Sequence, residues 1–124
     1  MFFLFVMMIS ASLFYAQPSE KKSNTAISFE KNSIDYGTIK KGSEPLRKFH
    51  FKNNGDTPLI ITNAKGSCGC TVPDYPKEPI MPGEANVIDV RYDTNRVGKF
   101  NKNVTVTTND GESTVLTIYG EVIE

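Results

Sequence analysis

From Ile27 onward apolar and polar residues alternate with period two, and no stretch sustains the 3.6-residue spacing of an amphipathic helix. Ile27 and Phe29 alternate with polar neighbours, and Ile34, Tyr36 and Ile39 surround Gly37. In the run LRKFHFKN, Phe49 and Phe51 share one face while Lys48, His50 and Lys52 share the other. Residues 53–58, NNGDTP, are dense turn chemistry, and Pro58 keeps a central strand from starting earlier. Leu59, Ile60 and Ile61 then predict a short buried strand. Further on, Ile88, Val90 and Tyr92 line one face, as do Val104 and Val106. Asn109-Asp110-Gly111 predicts a hairpin through a tight primed turn, since Asp-Gly tolerates the positive φ angles required. The last segment alternates Leu116, Ile118 and Val122 against Thr117, Tyr119 and Glu121. About seven short strands bounded by turns predict an all-β sandwich. Its expected core is Phe49, Phe51, Ile61, Ile88, Val90, Val104, Val106, Leu116 and Ile118.

One stretch breaks the alternation. Residues 66–84, GSCGCTVPDYPKEPIMPGE, hold both cysteines and Pro73, Pro76, Pro79 and Pro82. A long loop inside a small domain is either functional or packed down for a structural reason. The prolines fix φ and make this one stiff. Cys68 and Cys70 are the residues with evident chemical potential, and three readings of them stand side by side. A disulfide across Gly69 would close a very small ring over a bent backbone, and strained bridges of that kind are readily reduced. Two thiolates also suit a soft metal such as Cu(I) or Zn, yet tetrahedral zinc takes about four ligands and His50 is the sole further nitrogen. The third and preferred reading has the cysteines as small apolar groups packed at a strand end. Gly69, Thr71, Pro82 and Gly83 are the expected supporting loop.

Composition narrows the function classes. With 39% hydrophobic and 23% charged residues, the 124-residue chain has the profile of one folded domain. Lys+Arg 14 balance Asp+Glu 14, which argues against a nucleic-acid partner, because phosphate binding needs a basic excess. Residues 1–16, MFFLFVMMISASLFYA, carry no charge and are shorter than the roughly 20 residues a spanning helix needs. They are expected to be a signal peptide cleaved after Ala16, leaving an exported chain, periplasmic or extracellular, that does not span a membrane. Residues 17–26 read as a flexible leader and residues 27–124 as the domain, large enough to fold without disulfides. Glu78, Glu84, Asp89 and Asp93 read as solvated charge, Ser67 has no plausible His base, and no glycine-rich phosphate cradle precedes a helix. No cofactor is expected.

Several short motifs occur in a fixed order: Asn53-Asn54-Gly55, Pro58-Leu59-Ile60-Ile61, Ser67-Cys68-Gly69-Cys70-Thr71, Pro79-Ile80, Pro82-Gly83-Glu84, Tyr92-Asp93-Thr94, Gly98-Lys99-Phe100 and Thr108-Asn109. From about Phe29 to Val122 the chain thereby resembles the bacterial exported domain-of-unknown-function family fifteen seventy-three, marked by Cys-Gly-Cys-Thr. That family is similar to the hydin, major sperm protein and ASH domains, so the resemblance implies an immunoglobulin-like β-sandwich and names no activity.

The expected function is a non-catalytic, exported binding or scaffold module whose partner is a protein or an envelope component, met through an exposed strand edge. The alternative is a thiol–disulfide or soft-metal-handling protein that uses Cys68 and Cys70. A third reading is a carbohydrate or envelope-surface binder presenting tyrosines such as Tyr75 and Tyr119.

Overall fold

The computed structural model describes residues 26–124, and among them every regular element is a strand. In chain order these are β1 (Ile27–Phe29), β2 (Ser33–Lys40), β3 (Leu46–Asn53), β4 (Ile61–Gly66), β5 (Thr71–Asp74), β6 (Ala85–Tyr92), β7 (Gly98–Thr108) and β8 (Ser113–Ile123). The expected signal peptide and nearly all of the expected leader fall outside the described residues. Ala26, placed at the end of the leader, is already tied in, its carbonyl accepting the Asn54 N–H at 2.8 Å.

The strands form two four-stranded sheets, ordered β1-β3-β6-β5 and β2-β8-β7-β4. All pairings are antiparallel except β2 with β8, which run parallel. The chain therefore leaves the first sheet at β1 and enters the second at β2 within a few residues, and Asn32 receives the Thr117 N–H at the crossing. This is an immunoglobulin-like sandwich, with eight strands where the alternation predicts about seven. The extra strand is β5, hidden in the proline-rich loop. Pro73 lacks an N–H and so argues against a central strand, but a sheet edge tolerates it, and β5 is an edge.

Period two does what it predicts. Every residue of the expected core is buried, joined by Ile27, Tyr36, Leu59, Cys70, Ile80, Tyr92, Phe100 and Val122. Each large apolar side chain buried this way contributes roughly 1.5–3 kcal/mol. Two expectations need correction. Leu59, Ile60 and Ile61 do not make one strand: Leu59 forms an isolated bridge with Ile80, Ile60 is exposed, and β4 starts at Ile61. The β7–β8 hairpin exists, but its turn is not primed. Asp110 keeps negative φ, the Gly111 N–H returns to the Thr108 carbonyl at 2.9 Å, and Gly111 takes φ 81°. That is a type I turn closed by a left-handed glycine, the usual three-residue alternative.

Candidate functional site

The two cysteines occupy the corner where β4 passes to β5. Leaving β4, the Ser67 N–H binds the Asn103 carbonyl at 2.8 Å, and Ser67 Oγ accepts the Asn103 N–H at 3.1 Å. The Thr71 N–H then reaches back to the Cys68 carbonyl at 3.2 Å, closing a four-residue turn, while the Cys70 carbonyl takes the Asp93 N–H at 2.9 Å and opens the β5–β6 ladder. A disulfide joins Cys68 to Cys70 across this turn, with Cα atoms 5.3 Å apart. The preferred expectation of two packed thiols thus gives way to a bridge. Gly66 is what lets the turn close: any Cβ there would collide with the Thr71 carbonyl.

Thr71 is 2% exposed. Its Oγ1 lies 3.8 Å from both sulfurs, and these are its sole hydrogen-bonding neighbours among the described residues. Disulfide sulfurs carry no hydrogen, so the hydroxyl is the donor, into weak acceptors. Gly69 is placed differently from expectation. It has no positive φ, and a Cβ there would meet nothing within 4 Å, so neither backbone shape nor space requires glycine. Its exposed surface leaves the bridge open on the Cys68 side, while Cys70 is 8% exposed.

Beside the bridge an aromatic stack closes this end of the sandwich. Tyr92 stacks on Phe100 at 3.9 Å, and Tyr36 meets Phe100 edge-on at 5.3 Å. Gly120 makes room for them, since a Cβ there would lie 2.9 Å from the Tyr36 Cβ and 3.2 Å from Phe100 Cζ. The Tyr36 hydroxyl donates to the Pro45 carbonyl at 2.8 Å, and the Arg47 guanidinium sits 4.0 Å over the ring. Burial pushes the Tyr36 phenol up to about 12 despite the opposing Arg47 charge, and burial raises Tyr92 against Arg96. Both phenols are held neutral; both pack, and Tyr36 donates. A cleft of about 290 Å³ between this stack and the bridge is lined by Pro45, Cys70, Val72, Arg91 and Asn95 among others.

The other expected supporting residues lie elsewhere. Pro82 and Gly83 precede β6, whereas the cysteines meet its far end, so the length of an eight-residue strand, about 25 Å, separates them. There Gly83, at φ 84°, donates its N–H to the Asn53 carbonyl at 2.8 Å. His50 pairs with Val87, about 20 Å along β6 from Asp93, and faces solvent, so it offers the cysteines nothing. Among the described residues no three of His, Cys, Asp or Glu gather in a way that could hold a metal ion. Asp89 pairs with Lys48 at 2.9 Å, and Asp93 Oδ1 accepts the Asn95 N–H at 3.1 Å. Tyr75 is half-buried beneath Lys77, whose Nζ is 3.2 Å from the ring centre, whereas Tyr119 is exposed as expected.

Asn53 organises the end opposite the cysteines. It is 0% exposed, yet its Nδ2 donates to the carbonyls of Ile80 at 2.8 Å and Thr57 at 2.9 Å, and its Oδ1 accepts the Gly55 N–H at 2.9 Å. Asn109 holds the neighbouring Leu59–Ile61 segment through the Ile60 backbone. The motifs Asn53-Asn54-Gly55, Pro79-Ile80, Pro82-Gly83-Glu84 and Thr108-Asn109 are accounted for by this end of the sandwich. The cysteine turn is closed by bonds of its own, and none of them requires the two sulfurs.

The sheet edges differ in what they can accept. Since the Cys70 carbonyl faces β6, alternation turns Thr71 and Pro73 outward on β5; the Thr71 N–H is spent on Cys68 and Pro73 has none. That edge is closed to a new strand. On β2 the bonds of Asn32 and Lys41 to β8 turn Ser33, Asp35, Thr38 and Lys40 outward, and their N–H groups have no partner among the described residues. A bulge at Tyr36-Gly37 interrupts this edge. Alongside it lies a shallow depression of about 460 Å³ whose lining includes Thr38, Lys99, Asn101, Tyr119 and Glu121. Among the described residues no helix is long and apolar enough to cross a membrane.

The comparisons with known proteins agree with this architecture. The family model described as "Protein of unknown function (DUF1573)" matches residues 27–122. No curated protein matches the sequence. The seventh ASH/PapD-like domain of human CEP192 is similar in structure, with a TM-score of 0.70 at 11% identity over 86% of this chain and 92% of that one. The secreted serine protease VesC of Vibrio cholerae matches with a TM-score of 0.63 at 12% identity, over 82% of this chain and 24% of the protease. The chaperone–tip-adhesion-subunit complex CsuC–CsuE of Acinetobacter baumannii matches with 0.60 at 10% identity, over 79% of this chain and 57% of that one. The chain thus spans about a quarter of the protease chain and just over half of the matched chain of the complex. At these identities the likeness is one of fold.

Proposed function

We propose that this chain, which belongs to the DUF1573 family of proteins of unknown function, is an exported, non-catalytic immunoglobulin-like module that binds an extended segment of a partner protein along the outer edge of β2. The observation that carries the reading is the row of unpartnered N–H groups at Ser33, Asp35, Thr38 and Lys40 beside the Tyr119 depression. Main-chain bonds to such a row supply affinity, and alternate side chains of the added strand supply specificity. One face of that strand would rest on Tyr119, whose ring is 39% exposed. The likeness to a chain of a complex between a chaperone and an adhesion subunit supports a protein partner, and the uncharged residues 1–16 support export. Carboxylates that cap turns or pair with lysine, and tyrosines held neutral by burial, favour binding over catalysis.

Photo-crosslinking in cells tests the reading. A photoreactive residue at Thr38 should give a discrete protein adduct, and the same residue at Val72, on the closed edge, should not. With the photoreactive residue moved to Asn101, in the same depression, Thr38→Pro, which removes an outward N–H without touching the β8 ladder, should abolish the adduct. Equal labelling from both edges, or none from β2 in a folded protein, would rule the reading out.

A further inference from the structure

We infer that the Cys68–Cys70 bridge is a thiol–disulfide exchange centre in which Thr71 holds the departing thiolate. Three observations converge on it. The Thr71 hydroxyl is buried, yet donates only to the two sulfurs, each 3.8 Å away. A buried hydroxyl ordinarily finds a carbonyl, as Thr94 Oγ1 does with the Ser43 carbonyl at 2.7 Å. A disulfide is a poor acceptor and a thiolate a strong one, so this donor gains a proper partner when the bridge opens. Second, the two sulfurs are unequal: Cys68 is half-buried under an open Gly69, and Cys70 is 8% exposed. Third, the turn keeps its shape without the bridge, because Gly66, the Ser67–Asn103 bonds and the Thr71–Cys68 and Asp93–Cys70 backbone bonds all lie outside it.

The chemistry follows from that asymmetry. The thiolate of an incoming thiol attacks Cys68 Sγ, the bond to Cys70 breaks, and its electron pair leaves on Cys70 Sγ, beside the Thr71 hydroxyl. A second thiol then attacks the outer sulfur of the mixed disulfide and releases the Cys68 thiolate. In sum two thiols become one disulfide, and the bridge gains two electrons and two protons. The site lies on the β4–β5 side of the sandwich, away from the β2 edge, so it stands or falls independently of strand binding.

Reduced glutathione is the probe. The mature chain is equilibrated in native glutathione buffers of graded ratio, trapped with an alkylating reagent and weighed. The bridge should open and reclose reversibly without denaturant. The reduced protein should alkylate with an apparent pKa below the roughly 8.5 of free cysteine. Thr71→Val should raise that pKa by about one unit, slowing alkylation near neutrality about tenfold, and Thr71→Ser should restore it. Should Thr71→Val fail to fold, Cys68→Ser leaves Cys70 alone, and its thiol must titrate below roughly 8.5. A bridge that resists excess glutathione until denaturant is added would overturn the inference. So would a Cys70 thiol at or above the free value, or matching pH profiles for wild type and a folded Thr71→Val.

Discussion

Four buried polar residues, Asn53, Thr71, Thr94 and Thr108, hold much of what is specific about this sandwich. Three of them continue an apolar alternation past its last hydrophobic member: Asn53 after Phe49 and Phe51, Thr94 after Ile88, Val90 and Tyr92, Thr108 after Val104 and Val106. Each therefore points inward where a strand leaves the core, and each bonds backbone or a turn side chain there. That signal was present in the pattern, but Asn53 reads as turn chemistry when NNGDTP is taken as a unit. Thr71 had no such signal, because its role depends on two sulfurs and a buried corner. Asn53 also yields a quantitative expectation. Asn53→Leu keeps the branched shape but strips the Thr57 carbonyl and the Gly55 N–H of their partner and leaves the Ile80 carbonyl only its bond from the Leu59 N–H. At roughly 1–3 kcal/mol per buried group left unpaired, the loss should be at least about 2 kcal/mol, read as a lower urea midpoint. A midpoint within error of wild type would mean that water replaces the amide at no cost.

At the scale of elements, strands with an apolar inner face were legible and those defined by their edges were not. Period two located β3, β6, β7 and β8, whose inner residues are buried almost without exception. It missed β5, whose four residues include Pro73 and expose Val72, because an edge strand needs little inward apolar surface. It merged Leu59 with Ile61 because composition does not show that Leu59 answers to Ile80 and Ile61 to Thr108. The hairpin was found and its turn type mistaken: Asp-Gly suits a primed turn, but Asp110 instead bonds Thr108 Oγ1 and the Glu112 N–H, which fixes the type I form. Gly111 still occupies a left-handed position, at φ 81° with open space around it. Gly111→Val should therefore cost about 1–3 kcal/mol through backbone strain alone. Gly111→Asn, which tolerates that region better, should cost visibly less in the same denaturation series. Equal losses from the two variants would point to a steric cause that the open surroundings do not contain.

Across the whole molecule, the two ends of the sandwich do different work. The Asn53 end is closed by complementary bonds among β3, the Leu59–Ile61 segment and the loop before β6, and its motifs need no ligand to explain them. The cysteine end carries a bridge that the fold does not depend on, since the buried cluster draws on both sheets and all four edges are placed by ladders or turns. A bridge across one intervening residue also closes almost no loop, so it restrains the unfolded chain little. Loop-closure entropy for so short a span amounts to about 1–2 kcal/mol. The double variant Cys68→Ala, Cys70→Ala should then lower the urea midpoint by no more than about that amount and leave the slope of the transition unchanged, because the surface exposed on unfolding stays the same. A broad or multi-step transition would show that the bridge organises the β4–β5 side and that reduction would loosen it. An intact, cooperative transition would show that opening the bridge is a local event, one the rest of the sandwich, including the β2 edge, can undergo without unfolding.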